Sequence, residues 1–178
     1  MAEAIESRRA PQGGCVMKKL RGVNLGNWLA LEKWMSKDLF SGTTAADETY
    51  LCAELGHDLA SQRLMVHRDE FITERDFEEI ALLGFNAVRI PVPFFLFEDV
   101  GPYIHCYEYL DKAFCWAEKY GLVILIDLHT VSGGHNGTDN SGICEVCTWS
   151  MFAAFRNSVA DFPAQQLRYS PTTLKSGA

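Results

Sequence analysis

The sequence predicts an α/β fold, an incomplete (β/α)8 TIM barrel holding roughly the first three to four β/α units. Three observations predict it. Two helix-like segments are each followed by a short apolar strand, and the glycines that stop them, Gly84 and Gly121, stand one helix–loop–strand unit apart. Neither GxGxxG nor GxxxxGK[ST], the phosphate loops of an open nucleotide-binding sheet, occurs. A complete barrel takes about 250 residues, so the 178 residues here accommodate only its first strands.

Taken in order, the basic stretch Met17 to Gly22, "MKKLRG", flanks a strand-like segment in "RGVNLGNWL". "DETYLCAELGHDLASQRLMVHRDEF" carries one or two helices, the doubt lying at Gly56 and His57. In "ITERDFEEIALLGFNAVRIPV", Thr73 is an N-cap with Asp76 three residues on, a variant of the capping box. Phe77, Ile80 and Ala81 make an apolar stripe, Gly84 stops the helix, and "NAVRIPV" is a strand that Pro91 helps to end. "YEYLDKAFCWAEKYG" repeats the pattern with Leu110, Ala113, Phe114 and Ala117 on one face and Gly121 as the stop. "LVILIDLH" follows as a continuously apolar strand, which predicts a parallel sheet covered by helices on both sides. Residues 1–17 read as an N-terminal extension, 18–158 as the partial barrel domain with "SMFAAFRNSVADF" as a further helix, and 159–178 as an irregular polar tail.

The bulk properties exclude several classes of partner. With 16 basic and 23 acidic residues the formal charge is −7, and no basic patch is present to hold a nucleic acid or an anionic membrane. No stretch approaches 18 uninterrupted apolar residues, and the N-terminus lacks the apolar core of a secretory signal, so the expectation is a soluble cytoplasmic protein with its six cysteines reduced.

In parallel α/β folds chemistry collects at the carboxyl ends of the strands. Arg89 in "VRIP" sits at one such end, where its guanidinium fork suits a carboxylate, with a structural ion pair as the plain alternative. Asp127 and His129 in "IDLH" sit at the next, where His129 suits a substrate hydroxyl or a structural hydrogen bond. The loop "GGHNGTDNSG" then offers His135, Asn136, Asp139 and Asn140, a set that fits a polyol and equally a turn cluster. Cys144 and Cys147 have zinc or redox spacing, but a second pair is missing, so no metal and no cofactor are expected.

These segments, in this order, resemble a known family. "RGVNLGNWLALEKW" is similar to the opening "RGVNLGGWLVLEPW" of the exo-β-1,3-glucanase branch of glycoside hydrolase family 5, in the cellulase superfamily. "DETYLCAELG", "FITERDFEEIALLGFNAVRIPV", "YLDKAFCWAEKYGLVILIDLH" and "HNGTDNSG" resemble its subsequent blocks, over about residues 21–149. The resemblance implies a (β/α)8 barrel that hydrolyses β-glucosidic bonds with retention through two glutamates. It implies that Arg89 supports the nucleophile, that His129 and Glu32 bind the sugar of the reactive subsite, and that His135, Asn136 and Asp139 lie in the substrate loop after the third strand. Asn27 stands where the family has glycine, Lys33 where it has proline, and His135 where it usually has glutamine.

The Asn-Glu-Pro motif that carries the acid/base glutamate of this family does not occur in the 178 residues, and neither does the later strand with the nucleophile. The expectation is therefore a fragment of a retaining β-glucan hydrolase, inactive alone, whose partner is a β-glucan or glucooligosaccharide and whose exposed barrel edge favours self-association. The alternatives are a stable glucan-binding or chain-pairing remnant and a thiol or metal protein built on Cys144 and Cys147.

Overall fold

The computed structural model describes residues 19–148. The proposed boundaries at 17/18 and 158/159 and the helix expected over "SMFAAFRNSVADF" lie outside these residues. The chain runs β1 (Gly22–Asn24), a 3-10 turn (Lys37–Phe40), α1 (Glu48–Leu55), α2 (His57–Phe71), α3 (Glu74–Leu82), β2 (Ala87–Val92), α4 (Tyr107–Tyr120), β3 (Val123–Leu128) and a second 3-10 turn (Asp139–Ser141). The three strands form one parallel sheet in the order β1-β2-β3, with Asn24 paired to Arg89 and Arg89 to Leu125. A fourth unit would lie beyond the described residues. Among these residues no helix is long and apolar enough to cross a membrane.

Local chemistry explains the helix limits. Thr73 and Asp76 form the expected capping box of α3. Gly121 closes α4 in the left-handed region, where a side chain would be strained. Gly56, at φ +73°, separates α1 from α2, so the segment left open in the sequence is two helices.

The core lies between the helices and one face of the sheet. Val88, Ile90 and Val92 of β2 pack with Phe77 and Ile80 of α3 and with Leu110, Ala113 and Ala117 of α4. Trp28 is fully buried there, stacked on Trp116 at 6.2 Å, and donates from Nε1 to the Arg68 carbonyl at 2.8 Å. A second cluster, with Leu31, Phe40, Leu51 and Leu64, sits beneath the segment after β1.

Three expectations are corrected. The strand in "RGVNLGNWL" stops at Asn24, and Leu25–Leu31 continue as a buried irregular segment, because Asn27 at φ +63° turns the chain out of the sheet. Pro91 lies inside β2 rather than at its end. Arg89 O accepts from Leu25 N, so odd-numbered peptides of β2 face β1; β1 pairing ends at Asn24, and the proline's missing donor falls where no acceptor waits. Among the described residues, helices cover one face of the sheet only. Val123 and Leu125 of the apolar third strand are 53% and 60% exposed on the other face, as befits the inward side of a barrel wall rather than a doubly covered sheet.

Candidate active site

Side chains of odd-numbered residues in β2 and β3 project to the bare face, and at the strand ends they meet. Arg89 uses both arms of its fork: Nη1 donates to Asn24 Oδ1 and Nη2 to Asp127 Oδ2, each at 2.7 Å. His129 Nδ1–H donates to the same Asp127 oxygen at 2.8 Å. That bond fixes the tautomer and leaves Nε2 as the ring nitrogen open to a ligand. The network joins all three strands, which register explains: Asn24 pairs with Arg89 and Pro91 with Asp127.

Glu32 approaches the Asn24 end. A Cβ built on Gly26 would stand 3.1 Å from Asn24 Nδ2 and 3.5 Å from Glu32 Oε1, so the missing side chain of Gly26 lets the two groups flank it. Glu32 is held twice: its backbone N–H donates to Asn27 Oδ1 at 2.8 Å, and Oε2 accepts from Trp34 Nε1 at 2.9 Å. Asn27 Nδ2 donates onward to Ser36 Oγ at 2.5 Å, and His67 Nε2 bonds its carbonyl at 2.7 Å. Where the resembling family has glycine stands the non-glycine residue type that most readily adopts φ > 0, with its side chain bracing the Glu32 turn. Lys33, in place of proline, donates to the Ala45 carbonyl and lies over the Phe40 ring.

The loop after β3 faces this turn across a cleft of about 530 Å³ lined by Lys33, Trp34, Thr138, Asp139 and Cys144. Trp34 is 65% exposed, an indole face with one polar tip already committed. Asp139 lines the cleft, and Asn136 is bonded within the loop beside it. Its Oδ1 accepts from Thr138 N and Oγ1 at 2.9 and 2.8 Å, and its Nδ2 donates to Asn140 at 3.0 Å, so its polar atoms are spent on the shape of the loop. His135 lies near enough to His129 for the two charges to oppose each other. Burial first, and His129 second, hold its pKa below the ordinary value, and its Nδ1 is buried with no partner among the described residues.

The Cys144–Cys147 segment is fastened rather than reactive. Cys144 N donates to Asp47 Oδ2 at 2.5 Å, and Cys147 Sγ donates to the His135 carbonyl at 3.1 Å. Burial, and then Asp47, push the Cys144 thiol up to about 11, the opposite of what a thiolate nucleophile or ligand requires. No group of three or more His, Cys, Asp or Glu among the described residues is arranged to hold a metal ion.

The structure therefore brings Arg89 and His129 together through Asp127, sets Glu32 beside Asn24, puts His135 within electrostatic reach of His129, and bonds Asn136 within its own loop. Sequence reasoning did not single out Asn24 or Trp34. Asn24 was findable, because the alternation that exposes Arg89 on β2 exposes its register partner on β1; Trp34 carried no signal beyond its place in "LEKW".

No family model matches the chain. It is 43% identical over 143 residues to glucan 1,3-beta-glucosidase 1 of Schizosaccharomyces pombe, covering 76% of this chain and 35% of that protein. It is 41% identical over 157 residues to the probable glucan 1,3-beta-glucosidase A of Aspergillus fumigatus, covering 85% and 38%. The chain thus spans little more than a third of the length of the curated relatives it matches. Among solved structures, the rutinosidase from Aspergillus niger superposes with a TM-score of 0.73 at 27% identity, over 85% of this chain and 45% of that one. In sequence the chain is thus similar to part of the glucan 1,3-beta-glucosidases and in fold to part of a rutinosidase, in agreement with the resemblance that its motifs carry.

Proposed function

We propose that this chain is the sugar-holding N-terminal part of a retaining glycoside hydrolase acting on β-glucans, with β-1,3-glucosidic bonds as the substrate class, and that its three strands are the first units of an eight-unit barrel. The 178 residues by themselves bind glucan and do not cleave it. The observation that carries this reading is the Asn24–Arg89–Asp127–His129 network at the strand ends, since it commits His129 Nδ1 to Asp127 and fixes the ring from which Nε2 can meet a ligand.

In this reading His129 Nε2 and the Glu32 carboxylate meet sugar hydroxyls, and Trp34, bonded to Glu32, offers its ring face in the cleft that Asp139 also lines. Arg89 positions: its fork orders Asp127, which in turn sets the His129 ring. Retaining hydrolysis needs one carboxyl group that protonates the leaving oxygen and a second that attacks the sugar, about 5 to 5.5 Å apart. The carboxylates of this site are committed otherwise, Asp127 to Arg89 and His129 and Glu32 to Trp34. Both catalytic glutamates are therefore assigned to sequence beyond these 178 residues.

Calorimetric titration of the chain with laminaritriose, alongside His129→Ala and Glu32→Gln, tests this. Each variant is expected to weaken binding at least fivefold with its melting temperature preserved, and laminarin incubated with the chain is expected to release no sugar. Absence of binding, or equal binding by the variants, would overturn the assignment of the site; release of glucose by the pure chain would overturn its non-catalytic character.

A further inference from the structure

Ala46 lines the sugar cleft together with residues of both its walls, and the residues on either side of Ala46 fasten those walls in alternation. On the side of the Glu32 turn, the carbonyl of buried Ala45 accepts from Lys33 Nζ, and the buried Glu48 carboxylate takes a backbone hydrogen bond from Leu31. On the side of the loop after β3, Asp47 Oδ2 accepts from Cys144 N at 2.5 Å, and Thr49 Oγ1 donates to the Gly142 carbonyl.

The two contacts to the loop exceed what the start of a helix requires. Asp47 is the N-cap of α1, and one oxygen suffices for that: Oδ1 accepts from Tyr50 N at 3.0 Å. The second oxygen is given to a peptide 97 residues away in the chain. At 1% exposure a carboxylate is held at little cost only when both oxygens are bonded. Thr49 has one hydroxyl proton, which goes to Gly142, so Tyr103 is the donor in the 2.7 Å bond between their hydroxyls. Tyr103 in turn stacks on Phe95 with ring centroids 4.2 Å apart, which backs the contact with the packed segment after β2. The loop needs such fastening. Its own backbone bonds, Glu145 N to Gly137 O and Thr148 N to Gly133 O, close it on itself without tying it to the opposite wall.

We propose that Asp47 and Thr49 are positioning residues for glucan binding. They hold the loop that carries Asp139 at a fixed distance from Lys33 and Trp34, while Ala45 and Glu48 fasten the turn opposite. The first turn of α1 thereby sets the width of the cleft, and the small side chain of Ala46 sets its depth. Neither Asp47 nor Thr49 lines the cleft, so both act through the loop. The proposal deepens, and rests on, the sugar-site reading given above.

The test combines calorimetric titration of the 178-residue chain with laminaritriose and amide exchange followed by NMR, in the parent and in Asp47→Ser, Thr49→Val and Ala46→Leu. Serine caps a helix about as well as aspartate, but its shorter side chain does not reach Cys144; valine keeps the shape of Thr49 without its bonds. Asp47→Ser and Thr49→Val are each expected to weaken laminaritriose about fivefold, as the loss of one hydrogen bond would. Exchange at Cys144 should rise about as much, with exchange at Tyr50 unchanged in Asp47→Ser. Ala46→Leu is expected to weaken binding about tenfold, as filling a packed space does, and to leave exchange at Cys144 as in the parent. Parent-like affinity in Asp47→Ser and Thr49→Val would overturn the positioning role. So would exchange at Tyr50 that rises in step with Cys144, because the helix start would then have unravelled as a whole. Parent-like affinity in Ala46→Leu would overturn the assignment of depth. A parent chain that binds no laminaritriose overturns the sugar-site reading, whereas parent-like exchange at Cys144 in both Asp47→Ser and Thr49→Val overturns the fastening of the loop whether or not the sugar binds.

Discussion

Asn27 offers the sharpest test of how the site is built, because two of its properties can be removed one at a time. It is fully buried, sits at φ +63°, accepts from Glu32 N at 2.8 Å and donates to Ser36 Oγ at 2.5 Å. Asn27→Ala loses both side-chain bonds, each worth about 1 kcal/mol net, and leaves in the left-handed region a β-carbon without the short polar side chain that makes Asn tolerant of it, at about 1 kcal/mol more. The expected loss is roughly 3 kcal/mol. Asn27→Gly loses the same bonds but none of the backbone freedom, so its loss is expected to be about 2 kcal/mol, and lower again by about 1 kcal/mol if water satisfies Glu32 N. Urea unfolding of the three proteins gives these differences from the midpoints at constant slope. Titration with laminaritriose should show both variants weakened, because Glu32 loses its backbone anchor. Equal stability of the Ala and Gly variants would refute the claim that the turn demands φ > 0. Wild-type stability in either would refute the bracing role of the side chain.

Two further predictions concern the rim loops. Gly134 has φ +65°, and a Cβ there would stand 2.6 Å from Val146 O and 2.8 Å from Ile143 Cγ2, so Gly134→Ala is expected to cost about 3 kcal/mol and to speed amide exchange at Glu145 and Thr148, whose N–H groups bond Gly137 O and Gly133 O. The pH dependence follows from the cluster in which His57 Nε2 and His105 Nδ1 bond the two oxygens of Asp99 at 3.0 and 2.7 Å. The Asp99 bond first, and then Asp58, raise the pKa of His57. For His105 the lowering by burial is outweighed by Asp99 and Glu108, while the His105 backbone N–H, followed by His57, holds Asp99 well below the usual carboxylate range. A raised histidine contributes stability that is complete below about pH 6.5 and lost as pH rises through its folded pKa, whereas the lowered Asp99 contributes above about pH 4. Melting temperature is therefore expected to decline above pH 6.5, and His57→Gln to flatten the decline; an unchanged slope in that variant would remove the cluster from the explanation.

How much of this was legible in the sequence depends on whether the signal was local. The α3 capping box, the glycine stops and the strand around Arg89 each rest on a few neighbouring residues, and the structure reproduces them. The convergence of Arg89 and His129 followed from knowing that parallel strands end on one rim. What was not legible required register or three-dimensional crowding. Nothing near Asn24 in the chain says that it opposes Arg89, and the apolar run of β3 hid the fact that half of its side chains face no helix. Asn136 had the right residue type in the right loop, but only the geometry shows its amide spent on Thr138 and Asn140.

The same distinction explains how irregular rim segments keep a fixed shape without a hydrogen-bonded ladder. Arg68, buried in α2, donates to the carbonyls of Ile104 and His105 at 3.2 and 3.0 Å and pairs with Glu48 of α1 at 3.4 Å, while its own carbonyl accepts from Trp28. One residue thus ties the segment after β1 to the segment after β2, through backbone acceptors that any side chains there would present. Burial pushes Glu48 up to about 7 against the pull of Arg68, so ionising it as pH rises from about 4.5 opposes folding. A buried ion pair of this kind contributes little net stability. Its worth lies in position: with Trp28 and His105 held to one guanidinium-bearing residue, the turn that carries Glu32 and the strand that carries Arg89 are referred to the same fixed point, which a sugar-binding cleft made of loops requires.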